Sequence, residues 1–197
     1  MPTSATRPSY GHLTRLLHGA LALAVICQLL SSQIMQADDG GDWIFGIHQY
    51  AGLSALLLAL GFWTHGALRR RGTPLGRLLP WASRARRGAL GRDLLAHLRA
   101  ARSYRPLDHD AGPDGDAVAS AVHGLGLTLI TAMAVSGAVY YAVNTGNPDA
   151  GGLVGLTIEV HEILANLVWV YLIGHSAMAA LQHRAGRPLA RMWSPKP

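Results

Sequence analysis

Four long stretches of this 197-residue chain contain no lysine, arginine, aspartate or glutamate, and they restrict the fold more than any other feature. Between Arg15 and Asp38 lie 22 such residues, between Asp42 and Arg69 26, between Asp116 and Asp149 32, and between Glu162 and Arg184 21. A helix rises about 1.5 Å per residue, so roughly 20 apolar residues cross the hydrocarbon layer of a bilayer. All four stretches are long enough. Each is rich in Leu, Ala, Val and Gly, as in GALALAVICQLL, AGLSALLLALGFW, LTLITAMAVSGAVYYAV and ILANLVWVYLIGHSAMAAL. Four helices apolar on every side would leave a soluble bundle no face for water. The expectation is an all-α, four-helix transmembrane bundle, a single domain over 1–197 with spans at about 13–35, 43–68, 117–143 and 156–181. The first span reads as a retained helix, because no small-x-small cleavage site follows a short apolar core.

The formal charge of +6 comes from 17 basic and 11 acidic residues, a balance that in a soluble chain would point to nucleic acid. Position gives it another meaning. Every basic residue lies in one of three places: Arg7 and Arg15 before the first span, eleven arginines from Arg69 to Arg105, and Arg184, Arg187, Arg191 and Lys196 after the fourth span. The other two connections carry only acids. By the positive-inside rule the N and C termini and the 69–116 loop are cytoplasmic, and no nucleic-acid partner is implied. Within that loop ALGRDLLAHLRAARSY sets leucines among arginines at helical spacing. Such a pattern suits an amphipathic helix on anionic membrane lipid, although a solvated basic linker drawn to the headgroups is the simpler reading. The single Cys27 excludes an internal disulfide and any multi-cysteine metal site.

Ionisable side chains inside spans are candidate functional residues, and here they are histidines. His18 falls near the inner end of the first span, His48 near the outer end of the second, and His161 and His175 in the fourth. Fourteen residues separate the last two, so they project from one helix face about 21 Å apart. Depth then pairs His161 with His48 in the outer half and His175 with His18 in the inner half. Two imidazole pairs, each bridging two helices, suit bis-histidine haem ligation. One turn after each histidine stands a small residue, Ala22, Gly52, Ala165 or Ala179, which would leave room for a porphyrin. His65 lies about 100° round its helix from His48 and is not counted as a ligand, nor is His123. A lone intramembrane histidine can instead bond a neighbouring helix, and paired histidines can also serve a divalent metal-ion transporter. Against the transporter, no carboxylate stands near mid-depth. The HEILA segment is no zinc-protease motif, since Ala165 stands where a second histidine is required. No CxxCH occurs, so a haem here would be non-covalent and b-type.

Several stretches, TRLLHGALAL, GIHQYAGLSALLLAL, VHGLGLTLITAMAVSG, HEILANLVWVYLIGHSAMAALQH and the terminal PLARMW, resemble the bacterial diheme cytochromes b of the b-561 type. That family is related to the b-type subunits of nickel–iron hydrogenases and formate dehydrogenases. The resemblance implies two b-type haems in a bacterial cytoplasmic (inner) membrane, with His18 and His175 on the inner iron and His48 and His161 on the outer. It also implies electron transfer between a periplasmic partner and the quinone pool, with a quinone pocket beside the inner haem and His123 as its hydrogen-bond donor. Arg15, Arg69 or Arg184 could hold the inner propionates. The outer side has no Lys or Arg, so Trp43, Gln49, Tyr50, Tyr140, Tyr141 and Asn144 are the candidates there. Some small b-561 proteins oxidise superoxide, but a face bearing Asp38, Asp39, Asp42, Asp149, Glu159 and Glu162 would repel that anion. A basic c-type cytochrome or a dehydrogenase suits the face better.

Overall fold

The computed structural model describes residues 11–36, 42–68, 75–103, 117–144 and 151–184, and these are helical with no strand among them. In chain order they form α1 (His12–Ser31), α2 (Trp43–Leu68), the single turn α3 (Leu75–Leu78), a short 3-10 turn (Pro80–Ala82), α4 (Arg84–Ser103), α5 (Ala117–Val143) and α6 (Gly152–Arg184). Four of them, α1, α2, α5 and α6, are long and apolar enough to cross a membrane.

Two boundaries differ from the expected spans. The first helix stops at Ser31 rather than continuing to 35. There the backbone bonds tighten, Gln33 N–H reaching Leu30 O and Ile34 N–H reaching Ser31 O. The hydroxyls of Ser31 and Ser32 also return to the carbonyls of Cys27 and Leu29, the local competition by which serine ends a helix. At the same end of the bundle α6 starts at Gly152 rather than 156. Gly151 and Gly152 have φ of 66° and 56°, a left-handed entry that a side chain would strain.

Neighbouring helices pack in the order α1 on α2, α2 on α5 and α5 on α6. No interface of that extent joins α6 back to α1 or across to α2, although these are the pairs that carry the histidines. Leu21, Val25 and Leu29 of α1 meet Ala55 and Ala59 of α2, Leu127 of α5 and Val168 of α6 in the core. Leu16, Leu23, Leu57, Val170 and Ile173 face outward, as lipid contact allows. Lipid tails are as apolar as leucine, so close packing and interhelical hydrogen bonds must hold such helices together. The Trp63 indole N–H, donating to the Thr131 hydroxyl at 3.0 Å, is one such tie between α2 and α5.

The loop between the second and third spans is not a bare solvated linker. Its α3 and α4 dock on the first turns of α5. Asp93 of α4 accepts the Val118 N–H at 2.9 Å, satisfying one of the free donors at the start of α5. His97 stands beside it, its Nδ1 3.3 Å from the Asp93 carboxylate. On the far side of α4, Leu94, Leu95 and Leu98 are exposed. Gly124 of α5 lets α3 approach, because a Cβ there would overlap the carbonyl oxygen of Leu78. Gly124→Ala should therefore destabilise the chain by about 1–3 kcal/mol, the usual cost of overpacking. A lowered thermal midpoint of helical circular dichroism is the expected reading; an unchanged midpoint would mean that α3 is not held at this position.

Candidate functional site

The half of the bundle with the acidic connections, called outer here from the arginine distribution, brings together the two histidines that depth pairs. His48 of α2 and His161 of α6 have ring centroids 6.3 Å apart at an interplanar angle of 79°. An imidazole nitrogen binds a metal at about 2.0–2.1 Å, so two rings sharing one metal from opposite sides place their centroids roughly 6 Å apart. The observed spacing matches.

Two serines set the chemistry of these rings, and neither was singled out from the sequence for this role. Ser31 donates its hydroxyl proton to the carbonyl of Cys27 at 2.7 Å, with Gln28 O at 3.1 Å. Its oxygen, 3.1 Å from His48 Nδ1, must therefore accept from that nitrogen. Ser136 on α5 repeats the arrangement: the hydroxyl donates to Met133 O at 2.8 Å and accepts from His161 Nδ1 at 2.9 Å. Both serines are buried. Each histidine thus carries its proton on Nδ1 and presents a bare Nε2 lone pair, the state that a metal-binding histidine takes. Gln28 adds a further tie, its amide donating to the carbonyl of His48.

Around the pair lies a cavity of about 620 Å³, within the range of cofactor sites. Gly52, Ala55, Ala134, Gly137 and Ala138 form much of its wall. A Cβ at Gly137 would sit 3.0 Å from His161 Cε1, so this glycine makes room for the ring. Gly52, besides lining the cavity, has a second use: a Cβ there would lie 3.1 Å from the Gln28 amide nitrogen. Its smallness admits the glutamine that bonds His48. Of the neutral outer donors, Gln49, Tyr140 and Tyr141 line the cavity, and Asn144 donates to the Tyr140 hydroxyl at 2.9 Å. Trp43 and Tyr50 are largely exposed and do not line it. Glu159 and Glu162 line it, while Asp42 accepts the Phe45 N–H at 2.7 Å as the cap of α2. Asp38, Asp39 and Asp149 lie outside the described residues.

The inner half holds three histidines rather than two. His18 of α1 stands 6.4 Å from His175 of α6 and 6.4 Å from His123 of α5, measured between ring centroids. His123 and His175 are 5.3 Å apart. The potential ligand nitrogens of all three lie within 4.8 Å of one another, the one group of three His, Cys, Asp or Glu side chains among the described residues that is tight enough for a metal. Tyr171, one turn before His175, stacks on that ring at 5.5 Å and 17°. Gly126 of α5 leaves space for Tyr171, whose ring a Cβ would overlap.

Hydrogen bonding distinguishes the three rings. His123 Nδ1 lies 2.7 Å from the carbonyl of Ala119, which can only accept, so Nδ1 carries the proton. In the neutral ring Nε2 is then an acceptor, and the hydrogen-bond donor role expected of His123 toward a quinone carbonyl does not follow from this arrangement. By contrast His18 Nδ1 and the Nε of Arg15, one turn earlier on α1, are buried with no partner. Two polar atoms buried without a partner imply a polar group to be met there. Arg69 and the side chain of Arg184 lie outside the described residues. His65 is bonded at 3.1 Å to Thr14 and stands apart from both clusters.

These donor sets fit haem. The outer site offers two facing lone pairs between mostly apolar walls, and among the described residues no third ligand side chain clusters with them, too few for a bare divalent ion but sufficient for an iron whose other four bonds come from a porphyrin. The inner site offers the same spacing beside the unpartnered Nε of Arg15. A family model described as prokaryotic cytochrome b561 matches residues 9–195. Neither a curated protein nor a solved structure gives a significant match.

Proposed function

The chain belongs to the prokaryotic cytochrome b561 family, and from that premise we propose a two-haem membrane cytochrome that carries electrons between a periplasmic redox partner and the quinone pool. Haem, when bound, supplies a one-electron iron couple, and filling both axial positions with histidine favours electron transfer over oxygen binding. The observation that carries the reading is the pair of facing histidine sets, 6.3 Å apart in the outer half and 6.4 Å in the inner. His48 and His161 would hold the outer iron, with Ser31 and Ser136 keeping both rings in the ligating tautomer. His18 and His175 would hold the inner iron, and Arg15 would meet a propionate with its unpartnered Nε.

Roles for the remaining residues follow from their hydrogen bonds and charge. Beside the inner site a quinol hydroxyl could donate to His123 Nε2, which makes this histidine a proton acceptor from quinol. Gln49, Tyr140 and Tyr141 are the neutral donors for the outer propionates. The arginine distribution supports cytoplasmic termini and a cytoplasmic α3–α4 segment in the bacterial inner membrane. The exposed leucines and arginines of α4 suit anionic lipid at that surface.

On the outer side Glu159 and Glu162, both exposed at the cavity, favour a basic c-type cytochrome or similar partner over the superoxide anion. Electron exchange with a basic cytochrome should accordingly slow as salt shortens the screening length from about 30 Å at 0.01 M to about 8 Å at 0.15 M. Stopped-flow mixing at the two salt levels reads this directly. An unchanged rate would remove the electrostatic case for such a partner.

A further inference from the structure

We propose that His123 is a second axial ligand for the inner iron, exchangeable with His175 opposite a constant His18. The inference rests on the haem-binding reading of the inner site and adds to it a residue that the pairing by depth leaves out.

Three observations carry it. First, His123 and His175 stand at the same 6.4 Å from His18, with interplanar angles of 53° and 48°. By spacing, neither has the better claim to share a metal with His18. Second, tautomer favours His123. At the outer site both proposed ligands have Nδ1 bonded to a buried acceptor. Within the inner trio His123 has the same feature, through the carbonyl of Ala119 at 2.7 Å. A fixed Nδ1–H with a bare Nε2 is how liganding histidines are usually oriented. Third, the two candidates come from different helices, 5.3 Å apart. The α5 helix that carries His123 is anchored at its start by Asp93. His175 instead rests against Tyr171 on its own helix.

Exchange is chemically simple. The bond from iron to His175 Nε2 breaks and one to His123 Nε2 forms, with no proton or electron gained or lost. His123 then cannot accept from a quinol, so the choice of ligand at the inner iron would open or close the proton acceptor beside it.

The full-length chain, purified with its haem, tests this through H175A, H123A and the double variant H175A/H123A. Haem per chain and the low-spin signals in electron paramagnetic resonance are measured in each. H175A should keep two low-spin haems with a shifted inner signal, H123A should keep two, and the double variant should fall to one. An H175A protein that matches the double variant overturns the proposal, as does loss of the inner haem in H123A alone. The outer haem reports an intact bundle in every variant, and H175Q repeats the comparison with a bulkier side chain in place of alanine. H18A separates the two levels of inference. It should lose the inner haem whichever partner binds opposite, and two haems retained in H18A would refute the inner site itself.

Discussion

Replacing His161 by alanine is expected to cut the haem content from two per chain to one while leaving the inner haem low-spin. His161 faces His48 at 6.3 Å, and among the described residues no third histidine stands within reach of the outer pair as His123 does at the inner one. Truncation leaves one imidazole facing an open cavity. His48→Ala should give the same loss. The control is His65→Ala, which removes an intramembrane histidine bonded to Thr14 and should retain both haems. Pyridine haemochrome assay against protein concentration reads all three. Retention of two low-spin haems in H161A would show that the outer iron is held elsewhere.

The second large effect is expected from Ser136→Ala, a change of one oxygen atom in a residue that touches no iron. The variant removes the hydroxyl that accepts from His161 Nδ1–H, a loss of about 0.5–1.5 kcal/mol, and loosens the hold on the ligating tautomer. Loss of such a supporting partner typically weakens metal binding about 10–100-fold. Haem transfer from the variant to an excess of apomyoglobin should be faster by that order at the outer site. A hydrogen bond from Nδ1–H makes the imidazole a stronger donor and so favours the ferric state. Its removal should raise the outer midpoint potential. Ser136→Thr restores the hydroxyl and should recover both properties, which a packing defect alone would not do. Unaltered potential and transfer rate in S136A would deny the serine any part in ligand positioning.

Much of the fold could be read from the sequence because the membrane imposes a length requirement that few other environments do. The charge-free stretches between Asp42 and Arg69 and from Asp116 onward coincide with α2 and α5 at nearly every residue. Where the reading slipped, local chemistry decided: Ser31 and Ser32 bond back on their own helix and end α1 early, and Gly151 and Gly152 start α6 early. The histidine pairs were legible too, since depth along a straight helix follows from residue number. Side-chain partners across helices were not. Ser31 and Ser136 look like ordinary small residues in apolar runs, and their meaning depends on which helix faces which. In the sequence His123 is followed one turn on by Leu127 rather than by a small residue, so it falls outside the ligand pattern. It joins the inner trio because α5 packs between α2 and α6 and turns that face inward. The docking of α4 through Asp93 to Val118 is a contact between residues 25 apart, invisible to helical periodicity.

Gly137 shows the same limit from another direction. The sequence argument sought small residues one turn after each histidine on the same helix, whereas the glycine that clears space for His161 sits on α5. A search for small residues at matching depth on the neighbouring span would have found it.

The central claim is that one chain holds two b-type haems, each between two histidines. A reduced-minus-oxidised absorption spectrum of the purified full-length protein, with haem and protein quantified on the same sample, tests it most directly. The account predicts b-type alpha bands, no high-spin absorption and two haems per chain. A colourless protein, or one haem per chain in fully loaded preparations, would contradict it.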